Sequence, residues 1–300
     1  MESKCDTMLV IGNGFDLSLG LKTSYGDFMK WLEDNRELST NNLYKYLKFK
    51  LKENIKQGKR WIDIENELKK YSLSFFDVSN INMYIGIDVD NKNRCNLLRK
   101  EYKEICSKLC FYLSSLVGSP YIDKRGLEKL MEHIPYNQAY SKMQNKSYEN
   151  PVWVLNFNYT SCIEHFRDSL NIQEVHHIHG ALRDKENIVF GVEDGCELNQ
   201  EHSFLYKSHN RVLNVNHLNE RFEDAKHILF YGYSLGQTDH SYFEDFFREQ
   251  STKGCERKKF DFFYYGEAAY DDLFWQLRTL TNNRMAQFRQ FNDVNFIKVL

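Results

Sequence analysis

The run Met8-Leu9-Val10-Ile11, closed by Gly12-Asn13-Gly14 and continued by Phe15-Asp16-Leu17, sets the reading of the whole chain. Four consecutive apolar residues bounded by a glycine turn fit a strand buried on both faces, as in parallel sheets. The next segment, Thr23-Ser24-Tyr25-Gly26-Asp27-Phe28-Met29-Lys30-Trp31-Leu32, has the spacing of an amphipathic helix. A strand that turns on glycine into a helix is a setting in which backbone can approach a phosphate.

Further along, the texture changes twice. From Asn41 to about Met131 the apolar spacing is helical: Leu43, Tyr46, Leu47, Lys50 and Leu51 begin it, Ile64, Leu68 and Tyr71 continue it, and Leu97 to Leu116 form a long third segment. Asp88-Val89-Asp90-Asn91-Lys92-Asn93 reads as an exposed loop within this block. After Pro151, short apolar runs predict strands at Val152–Leu155, Glu174–Ile178, Ile188–Phe190, His227–Tyr231, Phe260–Tyr264 and Val294–Leu300, with helical patterns between several of them. That alternation predicts an α/β chain with a Rossmann-like, mostly parallel sheet of about six strands, flanked by helices and carrying a large helical insertion. Residues 1–40 and 150–300 would form the core, with 41–149 inserted and packed on it.

Composition removes several function classes. Among 300 residues, 40 Lys+Arg oppose 42 Asp+Glu for a formal net charge of −2. No field of the whole molecule attracts nucleic acid or anionic lipid, and neither is an expected partner. With 22 Phe, 19 Tyr and 4 Trp the chain is not disordered, and only three prolines, Pro120, Pro135 and Pro151, interrupt its helices. The cysteines, Cys5, Cys95, Cys106, Cys110, Cys162, Cys196 and Cys255, are odd in number and include no CxxC pair, which argues against a disulfide framework or a zinc ribbon. Cys106 and Cys110, one helical turn apart, read as buried thiols. No apolar stretch approaches the roughly 20 residues of a membrane span, and the start lacks a signal-peptide core, so a cytoplasmic protein is expected.

Four strand-end motifs could carry chemistry. Gly12-Asn13-Gly14 suits either a phosphate or a tight turn, and Leu17 stands where a full dinucleotide fingerprint has its third glycine. Asp16 would repel a pyrophosphate; it could instead cap the helix or accept hydrogen bonds from ribose hydroxyls. In Asn156-Phe157-Asn158-Tyr159-Thr160 the amides could orient a ribose or a water, or satisfy turn backbone. His176-His177-Ile178-His179-Gly180 places His177 and His179 on one face; no metal is expected, because no Cys pair or carboxylate follows at ligand spacing, and His179 reads as a single functional imidazole. Gly232-Tyr233-Ser234-Leu235-Gly236, continuing to Asp239, has the letters of a nucleophile elbow, but no later histidine completes a hydrolase triad. Within the helical block, Asp63 and Glu65 follow Trp61-Ile62. They suit the first turn of a helix; alternatively Glu65 reaches a ribose, or Asp63, Glu65 and Asp16 hold Mg²⁺ in a nuclease-like site.

Taken in order, Gly12-Asn13-Gly14-Phe15-Asp16, Gly20-Leu21-Lys22-Thr23-Ser24-Tyr25, Asn156-Phe157-Asn158-Tyr159-Thr160, His179-Gly180 and Gly232-Tyr233-Ser234-Leu235 resemble the AbiH-type phage abortive-infection proteins. They are also similar to the sirtuin-like NAD-binding fold, whose Gly-Ala-Gly-x-Ser, Gly-Ile-Pro, Gln-Asn-Ile-Asp, His-Gly and Gly-Thr-Ser segments come in the same order. This chain departs from that pattern at Asp16, Lys22 and Thr160, and it lacks the zinc-binding cysteine pairs of the deacetylases.

The resemblance implies a phage-defence effector that hydrolyses NAD at the nicotinamide–ribose bond. Asn158 would orient the ribose or water, and His179 would act as base toward a ribose hydroxyl. Gly12, Asn13, Gly14 and Asp16 would hold the pyrophosphate and ribose, and Gly232, Ser234 and Asp239 the remainder of the cofactor. The expected partners are a small-molecule nucleotide, a second copy of the chain, and a phage-derived or protein trigger. A non-catalytic NAD or ADP-ribose sensor and a metal-dependent nuclease are the competing readings.

Overall fold

The computed structural model describes residues 6–56, 63–75, 91–117, 125–134, 151–182, 188–211 and 213–299. Its strands are β1 (Thr7–Ile11), β2 (Val152–Asn156), β3 (Ile172–His177), β4 (His227–Tyr231), β5 (Lys259–Tyr264) and β6 (Asp293–Lys298). Its helices are α1 (Asn13–Ser18), α2 (Tyr25–Asp34), α3 (Asn42–Lys56), α4 (Ile64–Ser74), α5 (Asn91–Val117), α6 (Arg125–His133), α7 (Leu218–Asp224), α8 (Glu244–Gln250), α9 (Gly266–Leu280) and α10 (Met285–Phe291). The chain divides into two compact units, the first comprising Met1–Leu21, Ser119–Ile178 and Asn214–Leu300, the second Lys22–Gly118 and His179–Leu213.

The first unit holds a single sheet in the order β3-β2-β1-β4-β5-β6, and every pairing in it is parallel. This is the doubly wound order of dinucleotide-binding folds, which reverses direction between β1 and β4. Both central strands are buried along their whole length, which is why they appear in the sequence as unbroken apolar runs. Much of the aromatic content lies on one sheet face. Phe230 stacks on Phe262 at 4.9 Å, Phe260 lies 4.9 Å from Phe288, and Phe247 of α8 packs against Phe230, Phe260 and Phe288.

The opposite face carries a buried charge. Asp261, fully enclosed in β5, accepts hydrogen bonds from His227 (2.8 Å) and Asn295 (2.9 Å) and lies 3.2 Å from both Lys259 Nζ and His133 Nδ1 of α6. Burial alone would raise its pKa, but His227, Asn295 and Lys259 outweigh it and hold the carboxyl well below its ordinary range. Its contribution to stability is therefore full above the usual carboxylate range and is lost only as strong acid protonates it. Asp261→Ala, which strands these donors, is expected to cost about 3–5 kcal/mol in urea unfolding at pH 7.

In the second unit, α3, α4 and α5 bury Leu43, Leu47, Ile64, Leu68, Tyr71, Leu98, Ile105 and Leu109, the helical spacing expected of the block. The buried Glu101 carboxylate of α5 caps α3, accepting from Asn42 N (2.9 Å), Leu43 N (3.3 Å) and the Asn42 amide (3.0 Å).

Two local expectations are corrected. Ile188-Val189-Phe190 is buried but forms no strand: Val189 N–H bonds to His179 O, and Phe190 packs on the Tyr25 and Tyr102 rings. A short apolar run signals burial without saying whether a ladder partner exists. Of the expected loop Asp88–Asn93, residues 88–90 lie outside the described residues, while Asn91–Asn93 form the first turn of α5. Asparagine is compatible with both a loop and a helix start.

Candidate functional site

The carboxyl ends of β1, β2 and β4 bring together Gly12, Gly14, Asn158 and Gly232, all within the first unit. Here the strand order reverses between β1 and β4, and the loops that follow these strands mark the place where open α/β sheets bind ligands. They are held together by backbone, since Gly14 N–H donates to Gly232 O at 2.8 Å. Gly232 has φ +62°, and a Cβ on it would lie 2.1 Å from Phe15 N and 2.3 Å from Gly14 C. A Cβ on Gly14 would lie 2.6 Å from Gly232 Cα, and one on Gly12 would lie 2.6 Å from the Tyr233 ring. The three glycines are thus required by contact between two loops.

Asn158 ties the third loop to this junction. Its amide donates to Gly12 O at 2.9 Å, while its backbone N–H donates to Asn156 Oδ1 at 2.8 Å. Asn156 in turn donates to Thr160 O at 2.9 Å. These bonds place the Asn158 amide nitrogen against the β1 turn; no described residue donates to its Oδ1.

Asp16 belongs to α1 and is 1% exposed. Thr160 Oγ1 donates to its Oδ2 at 2.6 Å, and its Oδ1 has no hydrogen-bond partner among the described residues. Burial pushes the carboxyl up to about 6, against the lowering effect of the Thr160 bond. Because the folded value exceeds the unfolded one, Asp16 lowers stability as pH rises from about 4 through about 6. The shift of about 2 units corresponds to about 3 kcal/mol at pH 7.5. Asp16→Asn is expected to flatten this part of the pH–stability curve, read as the difference in urea midpoint between pH 5 and pH 7.5; an unaltered difference would show that Asp16 is not the titrating group.

Beyond β4, Tyr233 stacks on Phe157 at 4.4 Å and donates its hydroxyl to the buried Asp239 at 2.9 Å. Asp239 thereby seats the ring that covers Gly12. Asn13 and Ser234 are exposed beside this junction. His177 lies between the Asn156 amide and Asn158 O, both 3.4 Å from Nδ1, with Glu164 3.8 Å from its Nε2.

His179 and Glu65 belong to the second unit. His179 is buried, and its carbonyl accepts from Val189 N–H. Glu65 lies 3.0 Å from the Nζ of Lys207, a lysine only 2% exposed. Asp63 caps α4 by accepting from Asn66 N–H at 3.0 Å. Asp63 and Glu65 are thus engaged within their own unit, Asp16 lies in the other, and among the described residues no three His, Cys, Asp or Glu side chains group to hold a metal ion. Sequence reasoning missed Tyr233 as the cover over Gly12 and Lys207 as the partner of Glu65. Nothing local distinguishes a buried lysine in a lysine-rich chain.

The strand order and the apposed glycine loops define an α/β protein of the doubly wound, Rossmann-like class. The chain belongs to the AbiH family, whose model, bacteriophage abortive infection AbiH, matches residues 8–261. It is thereby placed among proteins of phage abortive infection. No curated protein matches it. Among the described residues, no helix is long and apolar enough to cross a membrane.

Proposed function

We propose that this AbiH protein is an abortive-infection effector that binds NAD at the carboxyl edge of its sheet and hydrolyses the nicotinamide–ribose bond. The observation carrying this reading is the convergence of Gly12, Gly14, Asn158 and Gly232 where the doubly wound sheet reverses. The resemblance of its motifs to the sirtuin-like NAD-binding fold, without the zinc-binding cysteine pairs of the deacetylases, suggests the reaction. Cleavage passes through an oxocarbenium-like transition state, so a catalyst must grip the ribose and deliver water to C1′. Asn158, through its side-chain oxygen, orients the ribose or water, and His179 accepts a proton from a ribose hydroxyl. Asn13 and Ser234 at the exposed rim, with Gly12, Gly14, Gly232 and the buried Asp16 and Asp239 behind them, shape the cofactor site. Glu65 is an additional acid in the helical unit. A phage-derived or protein trigger, or self-association, switches the reaction on in the cytoplasm.

One observation favours a second reading. The side-chain nitrogen of Asn158, the residue expected to orient the reacting ribose or water, is committed to Gly12 O as a brace of the β1 turn, which suits a protein that senses NAD or ADP-ribose without cleaving it. The two readings separate when pure protein is incubated with NAD: free nicotinamide is expected for the hydrolase, and calorimetric binding without nicotinamide for the sensor.

A further inference from the structure

Within itself, the second unit assembles a cysteine, a histidine and a serine from three separate segments. Cys95 Sγ of α5 lies 3.7 Å from His202 Nε2, and His202 Nδ1 lies 2.8 Å from Ser72 Oγ of α4. His202 is fully buried in the turn Gln200–Leu205; its ring meets Phe75 edge-on at 4.7 Å and lies 6.1 Å from Phe204. Ser72 is itself fixed. It is fully buried, its Oγ accepts from Asn199 N–H at 3.4 Å, and its carbonyl accepts from the Asn199 amide. Cys95 is partly exposed. A nucleophile next to a base, with the base oriented by a third group, is the arrangement that activates side chains for covalent chemistry.

We propose that Cys95 is a histidine-assisted nucleophile, a covalent-modification site for uncharged, soft carbon electrophiles of the α,β-unsaturated carbonyl class. With the imidazole proton on Nδ1, His202 donates to Ser72 and presents bare Nε2 to the thiol. In the reaction the sulfur forms a bond to the β-carbon as the C=C π bond breaks. The thiol proton passes to Nε2 and from there to the α-carbon, so the adduct carries every atom of both reactants and no oxidant is consumed. The choice of an uncharged ligand follows from the surroundings. Among the described residues, the acidic Glu201, on the turn that carries His202, and the basic Arg99, on the same helix as Cys95, oppose each other at the thiol, while Ser72 of α4 and the apolar Phe75 that follows α4 line the imidazole.

Burial raises the Cys95 thiol above its ordinary value, an effect that Glu201 reinforces, and pushes His202 down to about 4. The resting pair is therefore neutral, and the proton moves only as the electrophile arrives. An isolated thiol reacts through its thiolate, so its rate climbs about tenfold per pH unit below its pKa. A thiol deprotonated by a base of low pKa reacts at a rate nearly flat above pH 5.

The test treats the native full-length protein with N-ethylmaleimide between pH 5.5 and 7.5 and reads each cysteine by peptide mass spectrometry. Cys196 and Cys255, also partly exposed, serve as internal comparators. At pH 6, Cys95 is expected to react at least about tenfold faster than either, with a rate that changes less than about threefold over the range. Ser72→Ala and His202→Gln, each checked for native circular dichroism, are expected to slow Cys95 and restore the steep slope. If His202→Gln does not fold, Ser72→Ala alone decides. Labelling of Cys95 no faster than that of Cys196 and Cys255, a steep slope in the unaltered protein, or rates unmoved in the folded variants would overturn the proposal.

Discussion

Gly232→Ala is expected to lower stability by about 2–5 kcal/mol, the combined cost of a left-handed backbone for a residue with a side chain and of overpacking. Both costs act at one atom. The residue sits at φ +62°, and its new Cβ would press on Phe15 N and Gly14 C, backbone atoms that cannot swing aside like a side chain. Relief would require the β1 and β4 loops to part, breaking the bond from Gly14 N–H to Gly232 O and disturbing the Gly12 carbonyl that Asn158 holds. A loss of this size is a large fraction of the roughly 5–15 kcal/mol that stabilises a folded domain. Gly236→Ala is the matched control, since its nearest neighbour, Ser234 Oγ, would lie at an ordinary 3.7 Å. Urea unfolding should separate the two variants clearly. Equal midpoints would mean that the glycine loops do not need their close approach.

His179→Ala carries the largest expected effect on activity, a fall of about 10²–10⁴ in nicotinamide release, the usual worth of a general base. The substitution keeps the carbonyl that accepts from Val189 N–H, so the local backbone bond survives. Thermal unfolding close to that of the unaltered protein, together with the lost turnover, would assign the effect to chemistry. Undiminished NAD loss by soluble, folded His179→Ala would remove His179 from the reaction. Asn158 makes a poorer first target, because its amide also braces the β1 turn and its removal mixes folding with catalysis.

The parallel sheet was readable because its inner strands are buried on both faces and stand out as apolar runs between turns. Ile188–Phe190 carried the same signal but owes its burial to aromatic neighbours in the helical unit, a long-range fact with no local trace. The site was legible to a similar depth. The glycines after β1 and β4 could be picked out one by one as special positions, but their reason could not: it is their contact with each other across more than 200 residues. The buried partners Lys207 of Glu65 and His202 of Cys95 were hidden in the same way. Asp16 posed a real ambiguity, since a carboxylate in a phosphate-binding position and a carboxyl buried against Thr160 look alike in sequence.

The most direct measurement is free nicotinamide released from NAD by pure protein, alone and with extract of phage-infected cells. Turnover is expected in at least one of the two conditions and should be lost in His179→Ala. NAD that stays intact in both contradicts hydrolysis; a calorimetric heat of NAD binding would then leave the sensor reading standing, and its absence would remove both.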